Sequence, residues 1–209
     1  MGAAVLLRQA RGGRSPFERL VLTAPLIEIF GLRFPGLART AAKLLDLAGL
    51  GSAFIPAGGE TAILTRPFHD NVLTFDPGRY ERNNNIVAAA PHLAIGDPTI
   101  GWVDAAFAQI DEFADPEYPR RVITPALVFA ADNDRVVDGA AVERFSTRLK
   151  AGRLVTLPAS RHEILAERDD VREQFWAAFD AFIPGTRDEY HALVAAQSYI
   201  ERVRGARRW

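Results

Sequence analysis

Acidic residues and a histidine follow two neighbouring apolar runs in the second half of the chain. Asp132 and Asp134 come after the run 126–130, and His162 follows the run 153–157, 28 residues beyond Asp134. A carboxylate that contacts an imidazole holds the ring in one tautomer and stabilises its protonated form. A histidine held in this way can act as a general base for a hydroxyl nucleophile. These residue types, in this order, indicate acid–base catalysis.

The elements expected to position these side chains are three short buried strands. The apolar runs that predict them lie at 19–23, 126–130 and 153–157. Amphipathic helices are predicted after the last two strands, over 139–150 and 171–183. Alternating strands and helices favour right-handed crossovers and a parallel sheet, so the predicted class is an α/β fold. Reactive groups lie past the carboxyl ends of such strands, which brings the acid and the histidine to one edge of the sheet.

The rest of the sequence divides into a first helix, an insertion and a tail. Further helices are predicted at 1–11, 39–50, 84–90 and 101–113. We therefore predict an α/β core built from 1–27 and 121–185, with a mostly helical insertion over 28–120. Residues 186–209 are predicted to form a C-terminal helix with an arginine-rich end.

Composition excludes several classes of function. The chain has 209 residues and no cysteine, which excludes thiol catalysis, disulfides and cysteine-bound metals. A formal net charge of −1 gives no field that favours nucleic acid, so no nucleic-acid partner is expected. The four histidines form no metal-binding pair, and no metal or cofactor is expected. No apolar run approaches the roughly 20 residues of a membrane span, so we expect a cytoplasmic protein whose tail helix is a candidate for contact with a membrane surface.

Spacing alone leaves the acid and the histidine open to a simpler interpretation as turn and surface residues. Two longer segments, 124–138 (TPALVFAADNDRVVD) and 154–167 (LVTLPASRHEILAE), resemble the end of α/β-hydrolases of the bacterial lysophospholipase and monoacylglycerol lipase group. The stretches 71–80 (NVLTFDPGRY) and 96–102 (GDPTIGW) are similar to parts of the cap region in the lysophospholipase branch. The resemblance covers most of residues 1–183. It implies the C-terminal part of an α/β-hydrolase, with 28–120 as a cap and a Ser-Asp-His triad that cleaves carboxylic esters.

The resemblance also implies roles for individual residues. Asp134 matches the triad acid, with Asp132 as the competing choice, and His162 matches the base. Glu163 and Glu167, which follow the histidine, are expected to be solvated or to start a helix. The implied substrate is a lipid or small ester, best represented by a lysophospholipid or a monoacylglycerol. Its acyl pocket would be lined by apolar residues of the cap, with Phe30, Leu32, Phe34, Phe54 and Trp102 as candidates.

The triad serine has no match in the sequence. In this fold the nucleophile lies on a G-x-S-x-G turn before the acid and the histidine. Met1 and Gly2 resemble the last two positions of that turn, so we expect the serine immediately before Met1, in a chain truncated just after it. An extended chain would also use the Met1 amide as an oxyanion donor. Ser15, Ser52 and Ser160 do not match the turn.

These expectations have consequences for the isolated chain. Without the serine and the oxyanion donors, we expect negligible ester hydrolysis by this chain alone. The first predicted strand would present a bare apolar edge, which favours self-association. Two alternatives stay open at this point. One is a noncatalytic binding protein or pseudoenzyme remnant, and the other is a different α/β-hydrolase activity such as that of a peptidase, dehalogenase or epoxide hydrolase.

Overall fold

A computed structural model describes residues 1–12, 15–60 and 66–183 of the chain. Its centre is a parallel sheet in the order β1–β2–β3. The strands are β1 (Leu20–Thr23), β2 (Ala126–Ala131) and β3 (Gly152–Leu157). Each lies within one residue of its predicted bounds, and the predicted α/β class is confirmed.

Seven α-helices flank or precede these strands in the described residues. They are α1 (Gly2–Gln9), α2 (Pro35–Leu45), α3 (Pro77–Ala89), α4 (Ile100–Phe113), α5 (Tyr118–Arg121), α6 (Gly139–Ser146) and α7 (Asp169–Phe182). A π-helical turn, Asp46–Leu50, continues from α2. Short 3-10 turns lie at Phe68–Asp70, Pro91–Leu93 and Ile164–Ala166. Helices α2 to α5 all belong to the stretch between β1 and β2.

The central strand β2 is buried along its whole length because both of its faces are covered. Ala126, Val128 and Ala130 belong to a large apolar cluster shared with α1, α4, α5 and α6. Leu127 and Phe129 belong to a second cluster, in which α7 packs on the opposite face. The continuous apolar sequence of β2 is typical of a parallel strand between two helical layers.

Strand register decides where the sheet ends. Thr23 of β1 is level with Phe129 of β2, and Ala131 of β2 is level with Leu157 of β3. Because β2 and β3 end side by side, the loops that follow them leave the sheet at the same edge. These loops carry the candidate acid and the candidate base.

Several helix bounds differ from the predictions, and at α3 a capping side chain explains the difference. The predicted helix 84–90 begins earlier, at Pro77, because the Asp76 side chain accepts a hydrogen bond from the Arg79 amide and proline suits the first helical position. The predicted helix 39–50 is likewise displaced to Pro35–Leu45, with a positive φ at Gly49 in the following turn. The predicted helices 1–11 and 139–150 are shorter, at Gly2–Gln9 and Gly139–Ser146.

Two further predictions concern the C-terminal tail and membrane-spanning helices. The predicted tail helix over 186–209 lies outside the described residues. In the described ranges, every helix is too short or too polar to cross a membrane.

Candidate active site

The Asp134 carboxylate is fixed by the loop after β2. Its side chain is only 2% exposed. The Oδ1 atom accepts hydrogen bonds from the amides of Val136, at 2.7 Å, and Val137, at 3.0 Å. These two bonds leave Oδ2 for a partner outside the loop.

That partner is His162, in the loop after β3. Its Nδ1 atom lies 2.8 Å from Asp134 Oδ2. An ionised carboxylate only accepts hydrogen bonds, so the proton lies on Nδ1 and the lone pair on Nε2. This is the tautomer that a general base requires, and the imidazolium that forms on proton transfer is stabilised by the carboxylate. The structure therefore brings together the two residues singled out from the sequence.

His162 also faces open space. Its side chain is 22% exposed, against the almost complete burial of its acidic partner. The ring contributes to an open cavity lined by Thr23, His162, Glu163, Ile164, Leu165 and Ala166. Thr23 is the last residue of β1, so all three strands contribute to this end of the sheet. A reactant can therefore reach the histidine.

Asp132, the competing acid, has other partners. Its Oδ1 atom accepts hydrogen bonds from Asn133 Nδ2 at 2.7 Å and from the Ser160 amide at 3.2 Å. The backbone amide of Asn133 in turn donates to the backbone carbonyl of Ser160. Asp132 thus ties the loop after β2 to the loop after β3, and the structure places Asp134 against His162 instead.

Glu167 corrects an expectation, because it is neither solvated nor part of a helix start. It is fully buried. Its Oε1 atom accepts hydrogen bonds from the amides of Arg161, at 2.8 Å, and Phe75, at 3.0 Å. Buried amides need an acceptor, and a carboxylate is a strong one. Sequence reasoning missed this role because the second amide belongs to a segment 92 residues away.

Glu163 directly precedes the 3-10 turn Ile164–Ala166, so it has the second of the two environments expected for it, at the start of a helix. It is half-buried in the lining of the cavity beside His162. Burial raises the pKa of the Glu163 carboxyl, and the charge of His162 acts in the opposite direction. A second acidic group therefore faces the cavity, and its protonation state responds to the electrostatics of the site.

The predicted acyl-pocket residues do not gather around His162. Phe30 lines a separate cavity on the Asp134 side, together with Asp132, Asp138 and Glu143. Phe34 and Trp102 are 62% and 43% exposed. Neither of them, nor Leu32 or Phe54, is among the residues that line the cavity beside the histidine. Their apolar character suits a pocket, but their positions depend on how the stretch between β1 and β2 packs.

Met1 and Ser160, two further residues weighed in the sequence, have clear environments. Met1 packs against the large apolar cluster, and burial lowers the pKa of its amino group. Ser160 is fully buried, and its hydroxyl donates to the Leu157 carbonyl at 2.8 Å. The Ser160 hydroxyl is thus engaged in a structural bond.

Among the described residues, no group of three histidine, aspartate or glutamate side chains is placed to hold a metal ion.

A known protein family matches most of the chain. A family model described as serine aminopeptidase, S33, matches residues 1–169. The chain belongs to this family. Lysophospholipase L2 of Escherichia coli K12 is 31% identical over 170 residues, which cover 74% of this chain and 47% of that protein. A Haemophilus influenzae protein named "Probable lysophospholipase L2" is 24% identical over 183 residues, covering 88% of this chain and 57% of that protein.

Two solved lipase structures share the fold. A soluble variant of the Saccharomyces cerevisiae monoglyceride lipase matches with a TM-score of 0.63 and 15% identity, over 85% of this chain and 59% of the yeast protein. The monoacylglycerol lipase of Paleococcus ferrophilus matches with a TM-score of 0.62 and 14% identity, over 84% of this chain and 62% of that protein. The fold is that of an α/β-hydrolase. The chain spans about half the length of the curated relatives it matches.

Proposed function

We propose that this chain carries the acid and the base of a serine ester hydrolase, with Asp134 and His162 in those roles. The observation that carries the proposal is the 2.8 Å contact between His162 Nδ1 and Asp134 Oδ2 at the rim of an open cavity. Membership of a hydrolase family and the relatives' names support it. The serine is proposed to be the residue before Met1.

In the proposed reaction, Nε2 of His162 takes the proton of the serine hydroxyl while the oxygen attacks the ester carbonyl. The tetrahedral oxyanion would be held by the Met1 amide, which exists as an amide only when a residue precedes it. The imidazolium then gives its proton to the departing alcohol, and the acyl group stays on the serine. Water, activated by the same histidine, releases the acid and restores the serine. Asp134 stabilises the imidazolium in both steps.

The proposed substrate is an acyl ester of the lysophospholipid or monoacylglycerol type. Relatives named as lysophospholipases and structural neighbours named as monoglyceride lipases support this choice. The cavity beside His162 contains Ile164 and Leu165, and Leu165 is 48% exposed. Apolar surface next to the base suits an acyl chain better than a charged substrate. The role of 28–120 as a cap belongs to the same proposal, whereas Phe30, Phe34 and Trp102 do not line the cavity beside His162.

The first test is to read the in-frame codons upstream of Met1 and to express the extended chain. We expect Gly-x-Ser directly before Met1 and hydrolysis of lysophosphatidylcholine or monooleoylglycerol by the extended protein. His162→Gln should reduce kcat/KM by about 10⁴-fold or more, since loss of the base disables the nucleophile. Aminoacyl nitroanilides serve as the comparison substrates, because the family name includes a peptidase.

The outcomes separate the alternatives. Turnover of the nitroanilides but not of the esters would replace the esterase by a peptidase. An aspartate at the position before Met1 would favour dehalogenase or epoxide chemistry. A stop codon there, or an extended protein without hydrolytic activity, would leave a binding protein with hydrolase ancestry.

Membrane contact and a cytoplasmic location are further parts of the proposal. The sequence of the tail combines apolar residues with four arginines near its end, at 202, 204, 207 and 208. We expect the full chain to pellet with anionic liposomes more strongly than a version that ends at Pro184. Equal pelleting of the two would contradict a role for the tail.

A further inference from the structure

The loop that carries His162 is held by a segment of the insertion that resembles no catalytic motif. We name the contacts between residues 71–76 and residues 161–167 the histidine clasp. We propose that Glu167 is a positioning residue for His162, and that it acts through this clasp. The inference rests on the proposed role of His162 as the general base, but its test does not require turnover.

Glu167 fixes the backbone on the N-terminal side of the histidine. Its Oε1 atom accepts from both the Arg161 amide and the Phe75 amide, while Oε2 lies 3.4 Å from the Arg168 amide. The residue is fully buried. Two part-buried amides, one of them directly before His162, thus depend on a single oxygen atom of a fully buried side chain. Removing that atom would leave both amides without this acceptor, which is costly where water has little access.

The Arg161 side chain binds the same segment a second time. Its Nη1 atom donates to the Asn71 carbonyl at 2.7 Å and to the Thr74 carbonyl at 3.3 Å. Its guanidinium lies 4.0 Å from the centre of the Phe75 ring. The residue before His162 is therefore held by its backbone and by its side chain.

The clasp also holds the residues after the histidine. The Glu163 amide donates to the Leu73 carbonyl at 2.8 Å. The Thr74 hydroxyl donates to the Ala166 carbonyl, also at 2.8 Å. His162 thus lies between Arg161, whose side chain is bonded to residues 71–76, and Glu163, whose backbone amide is bonded to them.

The segment that supplies these contacts is itself held by side-chain hydrogen bonds and ion pairs. The buried Asn71 side chain accepts from the amides of Leu73 and Thr74 and donates to the Thr74 carbonyl. At the far end, Arg79 donates to the Glu167 carbonyl and forms ion pairs with Asp76 and Asp169. The same arginine thus connects the starts of α3 and α7 and closes the clasp.

The geometry of the acid makes such positioning necessary. Asp134 is held by its own loop, through Val136 and Val137, and cannot follow a histidine that moves. The 2.8 Å contact therefore depends on where the loop after β3 places the ring. A shift of about 1 Å would lengthen this contact beyond an ordinary hydrogen bond.

The test reads the His162 ring directly, in the full 209-residue chain. Proton–nitrogen correlation spectra of ¹⁵N-histidine-labelled protein report the tautomer of each ring, and His162→Gln identifies the signal among the four histidines. We expect a low-field Nδ1 proton in the wild type. In Glu167→Leu we expect this resonance to be lost and the ring to become a mixture of tautomers.

Two matched variants separate positioning from general stability. Glu167→Gln keeps one oxygen for the two amides and should restore the resonance. Val142→Ala creates a cavity in the large apolar cluster, so it should lower the melting temperature without changing the His162 signal. A folded Glu167→Leu protein with a wild-type His162 resonance would overturn the proposal.

A milder variant covers the case in which Glu167→Leu does not fold. Thr74→Val removes the hydroxyl that bonds the Ala166 carbonyl and leaves Glu167 intact. We expect a weakened, faster-exchanging Nδ1 proton in this variant. An unchanged resonance there would count against the clasp in the same way. If the wild type shows the low-field proton and its dependence on Glu167 while the extended chain hydrolyses no ester, the clasp stands and the proposed function fails.

Discussion

At the scale of single residues, the two oxygen atoms of Asp134 have separate partners. Oδ1 accepts from the backbone of its own loop and Oδ2 contacts His162. Asparagine could keep the first set of bonds but would present an amide N–H to the ring. In Asp134→Asn we therefore expect the histidine proton to move to Nε2, and kcat/KM of the extended chain to fall by about 10⁴-fold with little loss of stability.

Asp132→Asn is the matched control for this prediction. The amide oxygen can still accept from the Ser160 amide, and Asp132 makes no bond to His162. We expect kcat/KM to stay within a few-fold of the parent value. A comparable loss in both variants, measured with the same ester, would contradict the assignment of Asp134 as the acid.

Glu163 gives a pH-dependent prediction. Because burial raises the pKa of its carboxyl above 4.5, ionisation is less favourable in the folded state than in the unfolded state. Its contribution is therefore most favourable when the group is protonated and is lost as pH rises through its folded pKa. We expect Glu163→Gln to melt at a higher temperature than the wild type at pH 7. Thermal unfolding as a function of pH should show this difference shrinking towards pH 4, and a difference that is constant with pH would contradict it.

At the scale of helices and strands, capping side chains mark the starts of α3, α4 and α6. Asp138 accepts a hydrogen bond from the Ala141 amide at 2.8 Å and so starts α6, which packs against β2. Asp138→Ala should reduce the free energy of unfolding by about 1 kcal/mol, whereas Asp138→Asn should change it by only a few tenths. Urea denaturation of both variants provides the measurement. If both variants lost the same free energy of unfolding, the charge of Asp138 would matter more than its hydrogen bond.

The same scale shows what sequence reasoning could and could not reach. The last two strands were predictable because the runs at 126–130 and 153–157 are mostly apolar and lie between turn residues. The contact between Asp134 and His162 followed from the rule that parallel strands end at one edge. The start of α3 was missed because Asp76 and Pro77 act locally, without an apolar period. Glu167 was misjudged because its burial depends on the Phe75 amide, and no pattern near Glu167 shows that contact.

At the scale of the whole molecule, the sheet has an open side. Within the described residues, β1 pairs only with β2. The backbone amides of Leu20 and Ala24 point towards β2 and donate to the carbonyls of Pro125 and Phe129. By the alternation of a strand, the Val21 amide points to the free edge. Such an edge can pair with another chain.

We therefore expect the isolated chain to self-associate in a concentration-dependent way. Val21→Pro removes an edge donor without removing a bond to β2, so it should shift the population towards monomer. Sedimentation velocity provides the measurement, with circular dichroism to show that the variant keeps its helices. A wild-type chain that sediments as a monomer at all concentrations would contradict the prediction.

The histidine clasp also affects how the sequences of proteins with this fold can diverge. An insertion over a cavity is free to change in sequence where it meets only ligand or solvent. Residues 71–76 do not have that freedom, since they are bonded to 161–167 across about 90 positions of sequence. Lineages that adapt to new ligands are thus expected to vary elsewhere in the insertion, and to exchange residues on the two sides of the clasp in concert. Grafting a foreign insertion onto this core would succeed only if both sides were transferred together.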